Sequence, residues 1–131
     1  MNLSILLNSE PDLITGKGAS EEQIEKAEEA LKVSFADDYK EYLRMYGAIM
    51  INGHELTGIS KAEHMDVVSV TQEGRKYDLP EDTEKMYVIE DLGIDGILIW
   101  QDSEGKIYEI QNGRKKKIGE SLEEYLKEIL E

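Results

Sequence analysis

The sequence predicts an α+β fold: an antiparallel-rich mixed sheet packed with N-terminal helices and a C-terminal helix. Three observations predict it. Apolar residues recur at helical spacing over residues 20–46 and again over 121–130. Residues 49–56 and 86–118 instead carry short strand-like runs divided by Asn-Gly and similar turns. Helical and strand runs are therefore segregated along the chain, as in α+β proteins, and do not alternate as in parallel α/β proteins. The 131 residues contain no repeat, linker or low-complexity stretch, and about 100–200 residues make one domain. Residues 1–131 are read as a single domain.

The first helix spans residues 20–32. Ser20 and Gln23 fit a capping box, in which hydroxyl and amide each satisfy an orphan backbone N–H. Ile24, Ala27, Ala30 and Leu31 give the apolar face, and Glu21 and Glu22 suit the positive end of the helix dipole. A second helix spans residues 37–46, with Asp37 as its expected cap and Gly47 as its stop. Tyr39, Tyr42, Leu43 and Tyr46 line one face. That stripe reads as core, with hydroxyls reaching the surface.

The period then changes. Residues 49–51 and 54–56 read as two strands joined by Asn52-Gly53, the preferred pair for a tight hairpin turn. Met65, Val67, Val68 and Val70 suit either strand or helix, and a helix over residues 63–73 is preferred. Residues 78–82 are loop. Strands follow at 86–90, 96–101, 106–111 and 114–118, with 96–101 central and Asn112-Gly113 turning the last pair. Ser121, with Glu124 as capping-box partner, opens the closing helix, whose face is Leu122, Tyr125, Leu126, Ile129 and Leu130.

Composition removes several function classes. Fifteen Lys and Arg stand against 29 Asp and Glu, a formal net charge of −14. Nucleic-acid affinity comes mainly from Lys and Arg displacing counterions, so this charge disfavours nucleic acid and favours a basic protein partner. The halves carry 6 basic against 12 acidic side chains and 9 against 17, so no acidic tail holds the excess. The absence of cysteine excludes disulfides, Cys-ligated zinc and thiol nucleophiles. No run approaches the ~18 apolar residues of a membrane span. The apolar patch in residues 1–9 lacks the basic region and cleavage site of a signal peptide. A cytoplasmic protein without membrane contact is expected.

Chemical motifs are sparse. His54 and His64 form no HExxH arrangement, and no metal or other cofactor is expected. Asp91, Gly93, Asp95, Gly96 and Asp102 fall near calcium-loop spacing, but Gly93 holds the third position and the last ligand is not Glu. A tight inter-strand turn is the better reading. Gly16-Lys17-Gly18 matches no phosphate-binding loop, and no GxSxG or triad is present. No catalytic residue is nominated, and the protein is expected not to be an enzyme. The basic run Arg114-Lys115-Lys116-Lys117 reads as an edge strand guarded against aggregation.

The ordered motifs resemble a known family. Ser20-x-x-Gln23-Ile24-x-x-Ala27-Glu28, Leu31 and Asp38-Tyr39-Lys40-x-Tyr42-Leu43-x-x-Tyr46-Gly47 are similar to the start of SMI1/KNR4 (SUKH) domains. Ile51-Asn52-Gly53-x-x-Leu56-x-Gly58-Ile59 continues the likeness, followed by Gly93, Asp95 and Gly96. Asp102-x-x-Gly105-x-Ile107-Tyr108 and Ser121-Leu122-Glu123-Glu124-Tyr125-Leu126 complete it. Phe35-Ala36-Asp37 departs from the Pro frequent before the Asp-Tyr pair, and the single Trp100 departs from an earlier family Trp. The resemblance implies a bacterial immunity protein that binds and neutralises a cognate toxin without chemistry, or alternatively a regulatory scaffold binding a cellular protein. A basic, nuclease-type toxin fits the charge. Candidate partner-binding residues are the acidic side chains at strand ends: Glu90, Asp91, Asp95, Asp102 and Glu104. The acidic face of the first helix (Glu21, Glu22, Glu25, Glu28, Glu29) is a second candidate surface.

Overall fold

Seven strands form one sheet whose spatial order is their chain order, in a computed structural model that describes residues 3–77 and 79–131. Asp78, expected in a loop, lies outside the described residues, as does Met1. The strands are β1 (Ile14–Thr15), β2 (Ile49–Ile51), β3 (His54–Leu56), β4 (Tyr87–Asp91), β5 (Leu98–Gln101), β6 (Ile107–Gln111) and β7 (Arg114–Gly119). Every neighbouring pair is antiparallel. Among the described residues the one parallel contact is an isolated bridge between Gly58 and Asp66, and the sheet is an antiparallel meander. Helices bridge β1 to β2 and β3 to β4, while four of the six links between consecutive strands are short turns. Asn52-Gly53 (φ +49° and +80°) and Asn112-Gly113 (φ +50° and +77°) supply two of them, because both central residues must accept positive φ.

The helices are α1 (Leu3–Leu7), α2 (Glu21–Leu31), α3 (Asp37–Tyr46), α4 (Val67–Gly74) and α5 (Leu122–Ile129). The capping box of α2 is complete: Gln23 N–H donates to Ser20 Oγ at 3.2 Å, and Ser20 N–H donates to Gln23 Oε1 at 2.9 Å. The cap of α3 differs from expectation. Ala36 is its N-cap and Asp37 is the first helical residue, without a capping bond. The neighbouring carboxylate, Asp38, works across the fold. It accepts from Leu122 N–H at 2.8 Å and Gln101 Nε2 at 3.0 Å, tying α3 to the start of α5 and to β5. The expected helix over 63–73 is split. A 3-10 turn (Glu63–Met65) precedes α4, and extended Asp66 between them caps α4 by accepting from Ser69 N–H at 3.1 Å. Gly58 forces the break, because Met65 accepts from Gly58 N–H and Gly58 accepts from Val67 N–H, each at 2.8 Å.

Strand alternation deals apolar side chains to both faces of the sheet. One face receives Tyr87, Ile89, Ile99 and Ile107 and packs against α2, α3 and α5 as the main core. Tyr39, Tyr42 and Tyr46 belong to it, but their hydroxyls do not reach open solvent. Tyr42 donates to the Thr57 carbonyl at 2.7 Å, Tyr39 Oη lies 3.1 Å from Thr57 Oγ1, and Tyr46 donates to Asn8 at 2.9 Å. The other face carries Val88, Leu98, Trp100 and Ile110 in a second, smaller cluster. β7 is an edge strand, as its basic run predicts, and Lys115 sits 5.1 Å over the Tyr108 ring. Backbones nearly touch at one seam. A Cβ on Gly58 would stand 1.6 Å from the Gly47 carbonyl oxygen, so only glycine lets the segment after β3 lie on the α3 terminus.

Candidate functional site

The second face of the sheet is only partly covered, and this opens a groove. α4 crosses β4 and β5 there. Buried Thr71 fastens it, accepting from Val88 N–H at 2.9 Å. Gly74 sets the closeness: a Cβ at that position would stand 2.9 Å from Leu98 Cδ1 and 3.1 Å from Trp100 Cζ2. Arg75 then donates to the Leu31 carbonyl at 2.8 Å and the Glu84 carbonyl at 3.1 Å. It thereby binds α4 to the negative end of the α2 dipole. Beyond Arg75 the chain leaves the sheet at Tyr77, which is 68% exposed.

Two adjoining cavities, about 790 and 260 Å³, lie beside α4 and share Tyr77, Gly96 and Leu98 in their walls. The larger has an acidic rim: Glu63, Glu73 and Asp91, all exposed. Lys76 pairs with Glu73 at 2.8 Å. Neither Glu63 nor Asp91 has a cationic partner among the described residues. The smaller cavity has an apolar floor of Leu98, Trp100 and Ile110, each 7% exposed or less. Trp100 is fully buried, and its indole Nε1 has no hydrogen-bond partner among the described residues. Leaving such a donor unsatisfied costs about 1–3 kcal/mol.

The far wall is the turn between β4 and β5. Asp91 Oδ1 accepts from Gly93 N–H at 2.8 Å, and Ile97 N–H donates to the Ile94 carbonyl at 3.0 Å. Asp95 and Gly96 hold φ of +52° and +69°. This is the tight inter-strand turn the sequence favours over a calcium loop, and it holds Ile94 out, 62% exposed.

The five acidic residues nominated from sequence do not come together. Asp91 is on the groove rim, and Asp95 is exposed in the same turn, its carbonyl accepting from Gln111 Nε2 at 3.1 Å. Asp102 and Glu104 lie past the opposite end of β5, which at ~3.3 Å per residue is roughly 10 Å away. There Asp102 Oδ1 accepts from Glu104 N–H and Lys106 N–H, both at 3.0 Å, and shapes the turn. Glu90 is no surface residue. It is 2% exposed, lies 2.7 Å from His54 Nδ1, and accepts a short hydrogen bond from the Tyr125 hydroxyl. The register shift between Val88 and Glu90 explains this. A bulge interrupts alternation and turns Glu90 to the helix-covered face. Burial, with the Glu90 charge second, holds the Tyr125 phenol well above its ordinary pKa.

The acidic face of α2 is partly engaged within the fold. Glu21 bonds Arg44, which holds the Glu21 carboxyl below its usual range. Glu28 accepts from Phe35 N–H at 2.8 Å. The groove residues Glu63, Glu73, Tyr77 and Trp100 escaped sequence reasoning. The available signals were an aromatic just past a glycine-ended helix, and a Trp within a strand apolar on both faces. His54 and His64 pair with different carboxylates, Glu90 and Glu55. Among the described residues no three His, Cys, Asp or Glu converge to hold a metal ion, and no helix is long and apolar enough to cross a membrane. The chemistry the groove offers is binding: an apolar floor, an aromatic wall and unneutralised carboxylates.

A family model described as SUKH_5, SMI1-KNR4 cell-wall, matches residues 3–131. Comparison with curated proteins returns no match.

Proposed function

The chain belongs to the SMI1/KNR4 (SUKH) family, and on that premise we propose that it is an immunity protein that neutralises a cognate toxin by binding it. Family membership across residues 3–131 is the observation that carries the reading. The net charge of −14 supports it. A nuclease-type toxin must be basic to hold nucleic acid, so an acidic inhibitor gains long-range attraction and a fast on-rate. Inhibition is then occlusion of the toxin's working surface, in the cytoplasm, and requires no catalysis.

Co-expression with the toxin encoded beside it tests the reading. Cells carrying both are expected to grow, and the two proteins to copurify. Continued killing with the folded protein present overturns it. The on-rate is expected to fall steeply between low and high salt, since attraction between exposed charges is screened within about 10 Å at 0.1 M salt.

A further inference from the structure

We infer that the groove between α4 and the β4–β5 turn receives an arginine-bearing segment of the partner protein. This deepens the proposed function and rests on its premise that the partner is a basic protein. Three observations converge on it. The rim presents Glu63, Glu73 and Asp91, and two of the three carboxylates lack a cation among the described residues. The wall includes Tyr77, a residue 68% exposed, beside apolar Leu98. The floor of the adjoining smaller cavity holds a fully buried Trp100 whose indole N–H has no acceptor among the described residues.

Each feature asks for a different part of one occupant. Carboxylates at a groove mouth ask for a cation. An exposed aromatic residue beside an aliphatic side chain asks for a planar cation on an aliphatic stem, which is arginine before lysine: guanidinium stacks on rings and is more weakly hydrated than ammonium. The apolar floor of Leu98, Trp100 and Ile110 asks for an apolar neighbour beside that cation. A metal ion would need converging ligands, and the rim acids form no such cluster among the described residues. An acidic or phosphorylated segment would meet like charge.

The chain contains one tryptophan, so selectively excited indole fluorescence and a single indole N–H resonance report on the groove floor. The experiment titrates the full-length protein with acetyl-Leu-Arg-Leu-amide, with its glutamate counterpart as control. The arginine peptide is expected to shift the indole N–H resonance saturably and to quench or shift its fluorescence, more at low salt than at high. The glutamate peptide is expected to leave both unchanged. The combined variant Glu63→Gln, Glu73→Gln, Asp91→Asn alters only exposed side chains. It is expected to weaken the arginine peptide about tenfold, as three modest exposed ion pairs do together.

An unmoved indole resonance at millimolar arginine peptide overturns the inference, as does an equal response to the glutamate peptide. A shift that follows protein concentration without peptide also overturns it, since the occupant is then a second copy of the chain. Toxin protection separates this inference from its premise. If the wild-type chain protects cells and the triple variant protects equally with an unchanged on-rate, the groove assignment fails and the immunity reading stands. If the wild-type chain does not protect but binds the arginine peptide through the rim acids, the immunity reading fails and the groove assignment stands.

Discussion

Raising the pH above 10 should unfold this protein steeply, and four tyrosines set the slope. Tyr39, Tyr42, Tyr87 and Tyr125 are each 5% exposed or less. Burial pushes all four phenols well above their usual pKa, and nearby negative groups add to it. Their hydroxyl protons are committed to internal acceptors such as the Thr57 carbonyl and Gln101 Oε1. The unfolded chain ionises these phenols near pH 10, while the folded chain keeps them protonated. Above that pH the unfolded state binds four fewer protons. Stability is intact below pH 10 and then falls by about 1.4 kcal/mol per group per pH unit, or about 5.4 kcal/mol for the four. A domain stable by about 5–15 kcal/mol therefore unfolds roughly one to three pH units above 10. Phenolate absorbance at 295 nm and far-UV circular dichroism measure the two events together. Exposed Tyr77 should titrate without loss of dichroism, and the buried four only with it. Tyr125→Phe should reduce the slope by about a quarter. If all seven phenols ionise near pH 10 while the dichroism stays native, the hydroxyls are not enclosed and the reasoning fails.

Other perturbations test the joints of the fold by urea unfolding. Glu90→Ala orphans the Tyr125 hydroxyl and His54 Nδ1 and should cost about 2–4 kcal/mol; Glu90→Gln keeps an acceptor and should cost less than half as much. A loss for alanine no greater than for glutamine would contradict the buried pairing. Gly58→Ala places a Cβ 1.6 Å from a backbone oxygen and should cost at least about 2 kcal/mol. Gly53→Ala meets no atom within 4 Å and has only its φ of +80° against it, so it should cost about 1–2 kcal/mol; reversal of that order would refute the seam. Asp38→Asn weakens the acceptors of Leu122 N–H and Gln101 Nε2 and should cost about 1–2 kcal/mol, with hydrogen exchange rising first at the N-terminus of α5. Unchanged protection there would rule out the remote cap.

Local rules made much of the fold legible. Ser20 and Gln23 announce α2 because both halves of a capping box lie within four residues. Asn52-Gly53 and Asn112-Gly113 announce hairpins because positive φ is a property of the residue type. The apolar stripe of α5 and the basic edge of β7 are likewise written in single residues and their spacing. Where expectation and structure part, a distant contact decides. Asp37 has the chemistry of a cap, yet Asp38 is recruited by Leu122, 84 positions away. The helix expected over 63–73 breaks at Asp66 because Gly58 draws its backbone to the sheet. α1 and β1 are too short, at 5 and 2 residues, to show a period at all.

By itself, the sequence determined the segregation of helices from strands, the turns, the acidic balance and the family likeness, since each depends on neighbours within a few residues or on simple counts. Only the tertiary structure decided which acidic residues are surface and which are interior. One bulge in β4 moves Glu90 from a nominated contact to a buried partner of His54 and Tyr125. Only the packing of α4, through Gly74, on Leu98 and Trp100 brings Glu63, Tyr77, Asp91 and Trp100 to one groove. Side-chain direction within a strand depends on register, and register is set by pairing across the sheet, which no local pattern encodes.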